Sequence, residues 1–350
     1  MNTEHLTLKN SEKIGLISNL STMLSAGIPI LETVESILED VKGNQRKILE
    51  TLRDDVIAGK RIHTTLVKFP RVFDRVTTNV IKAAEEAGTL DVTLKDLREN
   101  IRREIEFSDK IKAALIYPVF IIVVFFGVLM AIIFFVIPRI ADVFGRLRVD
   151  LPLPTRILIF VSNLLVKQGF LILGLIILLT AGFFLLLKFR RNIFLNVLYS
   201  LPYISTLVQQ IDLARFSRSL HLLLYSGLPI TSALDLASDV VIKRETAKVI
   251  SASKEMVESG RNLSEGLRAS KGKVPAIVIK LIEAGEKTGS LDKSMQEISE
   301  YFDYQVSNTL KTITALIEPV MLVIVGIVVG GMMMAIIAPI YGLIGKVGSR

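Results

Sequence analysis

The sequence predicts an all-α polytopic membrane protein with two repeated cytoplasmic helical bundles and three transmembrane helices. Three observations indicate this fold class. The chain repeats itself at an offset of about 200 residues, three apolar segments are long enough to cross a bilayer, and no stretch keeps the alternation of a β-strand. The mean hydropathy is +0.51, yet 22% of the residues are charged. Apolar and charged residues therefore occupy separate segments.

The internal repeat is carried by three short motifs that return in the second half at an offset of 200 or 201 residues. They are Leu-x-x-Gly-x-Pro-Ile at 24–30 and 224–230, Ala/Gly-Glu-x-x-Gly-x-Leu-Asp at 84–91 and 285–292, and Leu-Ile-x-Pro-Val at 115–119 and 316–320. Each copy is a polar helical block that continues into an apolar segment. A duplication of this kind predicts two structurally equivalent halves.

The change between polar and apolar composition divides the chain into seven segments. A helix rises about 1.5 Å per residue, so each predicted span reaches across most or all of a hydrocarbon core of about 30 Å. The predicted segments are a first bundle at 1–112, a span at 113–137, a short non-cytoplasmic loop with an interfacial segment at 138–169, a second span at 170–187, a second bundle at 188–316, a third span at 317–344 and a short non-cytoplasmic tail at 345–350.

Two spans separate the two bundles, which therefore lie on the same side of the membrane. Basic residues flank the first span on both sides, so the positive-inside rule does not decide the orientation. The polar stretch Met1–Lys13 lacks the apolar core of a signal peptide, which favours cytoplasmic bundles and an inner-membrane location. We attribute the net charge of +8 to contact with lipid headgroups rather than to nucleic-acid binding, because no basic stripe is interleaved with aromatic residues.

Within each half, apolar residues recur at the helical period of 3.6, and glycine and proline separate the helices. Each half is expected to form five or six helices, and the helix that begins at Leu90 is expected to continue into the first span. The residues expected to shape the turns are Gly27, Pro29, Gly88, Leu90, Gly227, Pro229, Gly285, Gly289 and Leu291.

Acidic residues cluster at the second repeated motif and have two interpretations. They suit a helix end followed by a helix start, and they also suit a docking point for a basic partner. The candidate partner-binding residues are Glu85, Glu86, Asp91, Glu286 and Asp292.

The third span contains Gly326 and Gly330, a spacing that lets a second membrane helix approach closely. Pro118 and Pro319 mark the starts of the first and third spans. Glu318 is expected at the membrane interface, because a charge at the centre of a bilayer is costly.

Catalysis is not indicated. The sequence has no phosphate-binding loop ending in Gly-Lys-Ser/Thr, no His-Glu-x-x-His motif and no cysteine. We therefore predict no catalytic residues, no metal and no cofactor. Two alternatives remain. One is an oligomeric transporter permease, although the only charged residue within a predicted span is Glu318 at the mouth of the third; the other is a membrane hydrolase that would use Ser251 and Lys254.

The repeated motifs, together with the Gly59 and Gly260 positions, resemble the F-domain family. This family comprises the inner-membrane platform proteins of type II secretion, type IV pilus and competence pilus machines. The similarity extends over about residues 14–345. One departure is Ala84, where the turn of the family usually begins with glycine.

The resemblance implies a membrane platform that is not an enzyme. It would couple a cytoplasmic hexameric assembly ATPase to the extraction and insertion of pilin or pseudopilin subunits. The partners implied are that ATPase, the pilin-like subunits, other inner-membrane components of the machine, membrane lipid and further copies of the chain, with no nucleic acid bound directly.

Overall fold

The computed structural model describes residues 5–146, 202–270 and 272–347, together with 155–157, 159, 160, 162 and 164. Every regular element in these ranges is a helix, and no strand occurs among them. The prediction of an all-α chain is therefore confirmed for the part of the chain that the structure describes.

Six helices form the first repeat, and the last of them extends into the first apolar segment. They are α1 (Asn10–Ser25), α2 (Ile30–Asp40), α3 (Gly43–Ile57), α4 (Ile62–Leu66), α5 (Arg75–Ala87) and α6 (Leu90–Ala131). A π-helical segment, Ile132–Val136, and α7 (Ile137–Arg146) follow α6 directly.

The second repeat has the same order of helices. They are α8 (Pro202–Tyr225), α9 (Ile230–Ser238), α10 (Arg244–Glu258), α11 (Leu263–Arg268), α12 (Ala276–Thr288) and α13 (Leu291–Val347). From α2 and α9 onward, every helix of the second repeat starts 200 or 201 residues after its counterpart. The predicted duplication is therefore a duplication of structure.

The repeated Gly-x-Pro turns close the first helix of each repeat. Gly27 and Gly227 have φ values of 81° and 82°, a left-handed conformation that glycine adopts without steric cost. Pro29 and Pro229 stand directly before α2 and α9, one residue earlier than the predicted first helical position.

The two repeats belong to one compact unit, which extends to Lys110 in α6 and includes Thr206–Asn308. Its core consists of apolar side chains spaced three or four residues apart on each helix, as in amphipathic helices that bury one face. The largest fully buried side chains of this unit are Phe69, Phe73, Leu16, Ile17, Ile48, Leu49, Leu52, Leu66, Ile81, Leu97 and Leu220.

The environment of α6 changes along its length. In the first unit its apolar residues Leu94, Leu97 and Ile101 are buried. Beyond Ile111, where the second unit begins, large apolar side chains are turned outward, with Phe120 64% exposed. An exposed apolar surface along a long helix is stable when lipid, rather than water, covers it.

Two described helices are long and apolar enough to cross a membrane. They lie within Leu90–Val143 and Leu291–Met334, and their most apolar windows have mean hydropathies of 3.4 and 2.4. These stretches contain the predicted span at 113–137 and most of the one at 317–344. As predicted, α6 continues from the bundle into the apolar segment without interruption. The predicted span at 170–187 lies outside the described residues.

Candidate functional site

The acidic turn of the first repeat stabilises a neighbouring helix. Glu85, near the end of α5, accepts hydrogen bonds from the backbone N–H groups of Ile62 (2.6 Å) and His63 (3.0 Å) at the start of α4. Its Oε2 atom also lies 2.5 Å from Nδ1 of His63. The carboxylate therefore satisfies free N–H groups at the positive end of a helix.

Glu286 makes the equivalent contacts in the second repeat. Its Oε1 atom accepts from the backbone N–H of Leu263 at 2.5 Å, and the N–H of Ser264 lies 3.3 Å from the same atom. Both the acidic residue and its N–H donors lie 201 residues further along the chain than their counterparts in the first repeat. One capping contact has thus been kept in both halves, although its two ends are more than 20 residues apart in the chain.

The remaining candidate acids have different surroundings. Glu86 is exposed, with Oε1 3.5 Å from the guanidinium of Arg61. Asp91 is exposed in the first turn of α6. Asp292 is half-buried in the first turn of α13, and its backbone carbonyl lies 2.8 Å from Nδ1 of His221. The structure does not bring the five predicted acids into one cluster of mutual contacts; it separates two capping acids from three others.

Gly285 occupies a position where α12 and α13 pack closely. A Cβ atom at this position would lie 2.5 Å from Oγ of Ser294 and 3.0 Å from Cα of Leu291. In the first repeat Ala84 stands at this position and is buried. The departure of Ala84 from the motif of the family thus falls at a helix contact. Gly88 and Gly289 follow with φ values of 71° and 69° and end α5 and α12.

The residues predicted at the spans lie within continuous helices. Pro118 is inside α6, and Glu318 and Pro319 are inside α13. Glu318 is exposed. Apart from the neighbouring backbone of α13 itself, no atom of the described residues comes within 4 Å of a Cβ atom built at Gly326 or Gly330. Their role in helix packing remains a prediction.

Sequence reasoning missed two charged sites in the two-repeat unit. Arg218 in α8 is almost fully buried and binds carboxylates of α6 and α13. Asp212 in the same helix is fully buried, and it accepts from the backbone N–H groups of Ile242 (2.7 Å) and Lys243 (2.9 Å). Burial raises the pKa of Asp212, against the opposing effect of these two hydrogen bonds. Both residues stand in a helix that also carries other polar side chains, such as Gln209 and Arg215, so the local pattern does not mark either of them as buried.

A third missed site is the buried Asp55 at the end of α3. Its carboxylate binds Nζ of Lys60 at 2.8 Å, Nζ of Lys68 and the hydroxyl of Thr65 at 2.8 Å. These bonds, chiefly the one from Lys60 and then the one from Lys68, lower the pKa of Asp55 far below its ordinary value. The second repeat has Met256 at the equivalent position.

Replacing Asp55 by Asn is expected to destabilise the protein by about 1–3 kcal/mol at pH 7, since it removes a charge that accepts three hydrogen bonds. A lowered pKa stabilises the folded state above the ordinary pKa of the group, and this contribution is lost as the pH falls below about 4. Urea unfolding from pH 7 to pH 3 should therefore show a shrinking difference between the variant and the parent. The neighbouring Asp54→Asn, at an exposed ion pair with Arg53, is the control. A difference that does not change with pH would contradict this account.

The residues of the hydrolase alternative do not form a catalytic pair. Lys254 binds Asp235 at 3.0 Å and lies 3.8 Å from Glu258. The hydrogen bond that Lys254 donates to Asp235 is the main reason why the pKa of Lys254 is raised, so the amine stays protonated and is unsuited to act as a base. Among the described residues, no group of three or more His, Asp or Glu side chains is arranged to hold a metal ion.

Comparison with known proteins decides the family. The model of the family described as "Type II secretion system (T2SS), protein F" matches residues 16–138 and 216–339. These two matches coincide with the two structural repeats and together cover more than half of the chain. The chain belongs to this family. The F-domain resemblance of the repeated motifs is thereby confirmed.

Relatives of this F-domain chain come from both pilus and secretion systems. It is 32% identical to the type IV pilus assembly protein PilC of Thermus thermophilus over 333 residues, which cover 93% of this chain and 81% of that protein. It is 27% identical to the PilC protein of Myxococcus xanthus, covering 93% and 79% of the two chains. It is also 27% identical to the type II secretion system protein F of Aeromonas hydrophila, covering 95% and 87%.

Proposed function

We propose that this chain is the inner-membrane platform of a filament assembly machine of the type IV pilus or type II secretion type. In this role it couples a cytoplasmic hexameric assembly ATPase to the extraction and insertion of pilin-like subunits. The observation that carries the proposal is the family match over both repeats, with relatives named for pilus assembly and for secretion along most of the chain.

The form of the helices supports a mechanical role. Both α6 and α13 begin in the two-repeat unit and continue into an apolar segment. Pro118 and Pro319 each remove one backbone hydrogen bond, but neither ends its helix. A helix is a stiff connection, so displacement of a repeat would reach lipid depth without a flexible joint. Platforms of this kind act together with other inner-membrane components and further copies of the chain.

A multi-pass inner-membrane location with both repeats in the cytoplasm is part of the proposal. The two apolar helices support a membrane location. Ion pairs between the repeats support a shared side: Arg75 binds Asp239 at 2.5 Å, and Arg218 binds Glu104 at 2.5 Å. Such contacts are the ones expected if both repeats face the same compartment.

The platform role needs no catalytic residue, metal or cofactor in this chain. Hydrolysis would take place on the partner ATPase. The relatives give no support to the transporter alternative, since their names refer to pilus assembly and secretion.

We further propose that the exposed acids Glu86 and Asp91 offer a docking point for a basic surface of a cytoplasmic partner. Both side chains are exposed, and the ion pair of Glu86 with Arg61 is an exposed one of little energetic weight, so both carboxylates can meet such a surface. Glu85, Glu286 and Asp292 would contribute through the turn that they shape, since the carboxylates of Glu85 and Glu286 are occupied by backbone N–H groups.

Co-purification from native membranes tests the proposed function. The full chain with an affinity tag, extracted in mild detergent from its own host, should recover a hexameric ATPase and at least one pilin-like protein. An unrelated multi-pass protein with the same tag, expressed at the same level, is the control and should recover neither. Reproducible recovery of solute-binding subunits without any pilin-like protein would contradict the proposal and favour the transporter alternative.

A further inference from the structure

We propose that Arg218 is a positioning residue that fixes α6 and α13 to each other where both helices leave the two-repeat unit. Its guanidinium contacts both helices from α8. It lies 2.5 Å from Oε2 of Glu104 in α6 and 2.6 Å from both carboxylate oxygens of Asp303 in α13. It also lies over the ring of Phe107 in α6, 5.1 Å from the centroid.

The burial of Arg218 makes this contact more than a surface ion pair. Its side chain is only 6% exposed, and a buried guanidinium is stable only when carboxylates and hydrogen bonds replace its water. Nη2 of Arg218 donates to both oxygens of Asp303, and Nη1 donates to Glu104, so the planar fork of arginine binds one helix with each of its terminal nitrogens. Separating α6 from α13 would take one of its two carboxylates away from Arg218, which is shielded from water, so the contact favours the arrangement in which both helices stay together.

The location of Arg218 gives the contact a mechanical meaning. Glu104 lies less than two turns before Lys110, where α6 leaves the first unit, and Asp303 lies less than two turns before Asn308, where α13 leaves it. We call the contact of Arg218 with Glu104 and Asp303 the clamp. At this level it sets the spacing of α6 and α13 as they pass toward the apolar segments. A load on either repeat then reaches both membrane helices together.

The clamp is not a duplicated feature. At the offset of the repeat, the position of Arg218 corresponds to Ser18. A second link between α6 and α13, from Arg103 to Glu300 at 3.4 Å, has both side chains more than half exposed. Exposed pairs contribute little to stability, so Arg103 provides a matched control on the same two helices.

The spacing of the helices can be measured directly, because the chain contains no cysteine. Spin labels on Glu106→Cys in α6 and Tyr304→Cys in α13, both at exposed positions, report this distance in the full chain in lipid nanodiscs. The parent and Arg103→Ala should give one narrow distance distribution. Arg218→Lys, which keeps the charge but loses the fork, should give a broader one.

A variant that lacks all three charges of the clamp shows whether the effect of Arg218→Lys comes from loss of the contact or from misfolding. Arg218→Met combined with Glu104→Gln and Asp303→Asn removes the three charges of this contact together, which proteins often tolerate without unfolding. Arg215, whose Nε lies 3.1 Å from Oε1 of Glu104, keeps its charge at a partly exposed position. The triple variant should also lose the narrow distribution. A folded triple variant with the distribution of the parent would overturn the clamp.

A second experiment, which measures filament assembly in cells, rests on the proposed platform role. In cells lacking the native gene, Arg218→Lys and the triple variant should lose filament assembly at normal membrane abundance, whereas Arg103→Ala should restore it. Normal assembly by variants with a broadened distribution would overturn the mechanical role of Arg218 alone. Normal filaments in the deletion strain itself would instead overturn the proposed function, and the distance measurement would still decide whether Arg218 fixes the two helices.

Discussion

A flexible Gly/Ser insertion directly after Lys112 in α6 is expected to abolish filament assembly while leaving the chain in the membrane. Lys112 stands just beyond the point where α6 leaves the two-repeat unit, and the helix continues unbroken to Ala131. A Gly/Ser linker has no preferred direction and transmits no torque. The bundle would move without moving the apolar helix.

The matched control places the same insertion in an exposed connection of the same repeat. The residues Val41 and Lys42 join α2 to α3 and lie outside any helix. Insertions in such loops have a small thermodynamic cost. The control chain should therefore assemble filaments, and both chains should reach the membrane at the level of the parent.

Electron microscopy of surface filaments, or secretion of a substrate, gives the measurement, with immunoblots of membrane fractions as the check on abundance. Normal assembly by the chain interrupted after Lys112 would show that motion does not pass along α6. Loss of assembly by both chains would show that the bundle does not tolerate insertions, and an interruption of α13 after Asn308 would then be needed to test the stiff connection.

Features that depend on nearby residues were predictable from the sequence. The turns at Gly27 and Gly227 and the continuation of α6 into its apolar segment were all predicted. Each depends on local conformational preference or on hydrophobic periodicity, and the duplication supplied a second independent copy of each signal.

Features that depend on distant residues were not predictable. Arg218 finds Glu104 and Asp303 at separations of 114 and 85 residues, and nothing in the local pattern indicates which carboxylates it meets. The partners of Glu85 were missed for the same reason, since they lie 22 and 23 residues away. Comparing the repeats would have drawn attention to Asp55, because a charged residue in one copy and Met256 in the other indicate different surroundings.

The two interpretations of the acidic turns can be separated by Glu286→Ala. Removing this carboxylate leaves the backbone N–H groups of Leu263 and Ser264 without their acceptor at the start of α11. Hydrogen bonds to a charged group contribute about 1.5–3 kcal/mol, so the free energy of unfolding should fall by about that amount. Glu286→Gln, which keeps the shape and one acceptor oxygen, should lose less.

For the exposed acids Glu86 and Asp91, we expect partner recovery to change and stability to stay nearly the same. Glu86→Ala combined with Asp91→Ala should change the free energy of unfolding by no more than about 0.5 kcal/mol, as is usual for exposed sites. If these acids dock a basic partner, the double variant should recover less ATPase from native membranes although it is stable. Glu286→Ala should recover the normal amount for each folded molecule.

Urea unfolding of the detergent-solubilised full chain, followed by its helical circular dichroism, measures the first quantity, and co-purification measures the second. The expected outcome is a crossed pattern: Glu286 affects stability, and the Glu86 and Asp91 pair affects partner recovery. Unchanged stability in Glu286→Ala, together with a loss of partner, would show that this carboxylate binds the partner rather than capping α11. Such a result would contradict the hydrogen bonds from Leu263 and Ser264, on which the separation of capping acids from docking acids depends.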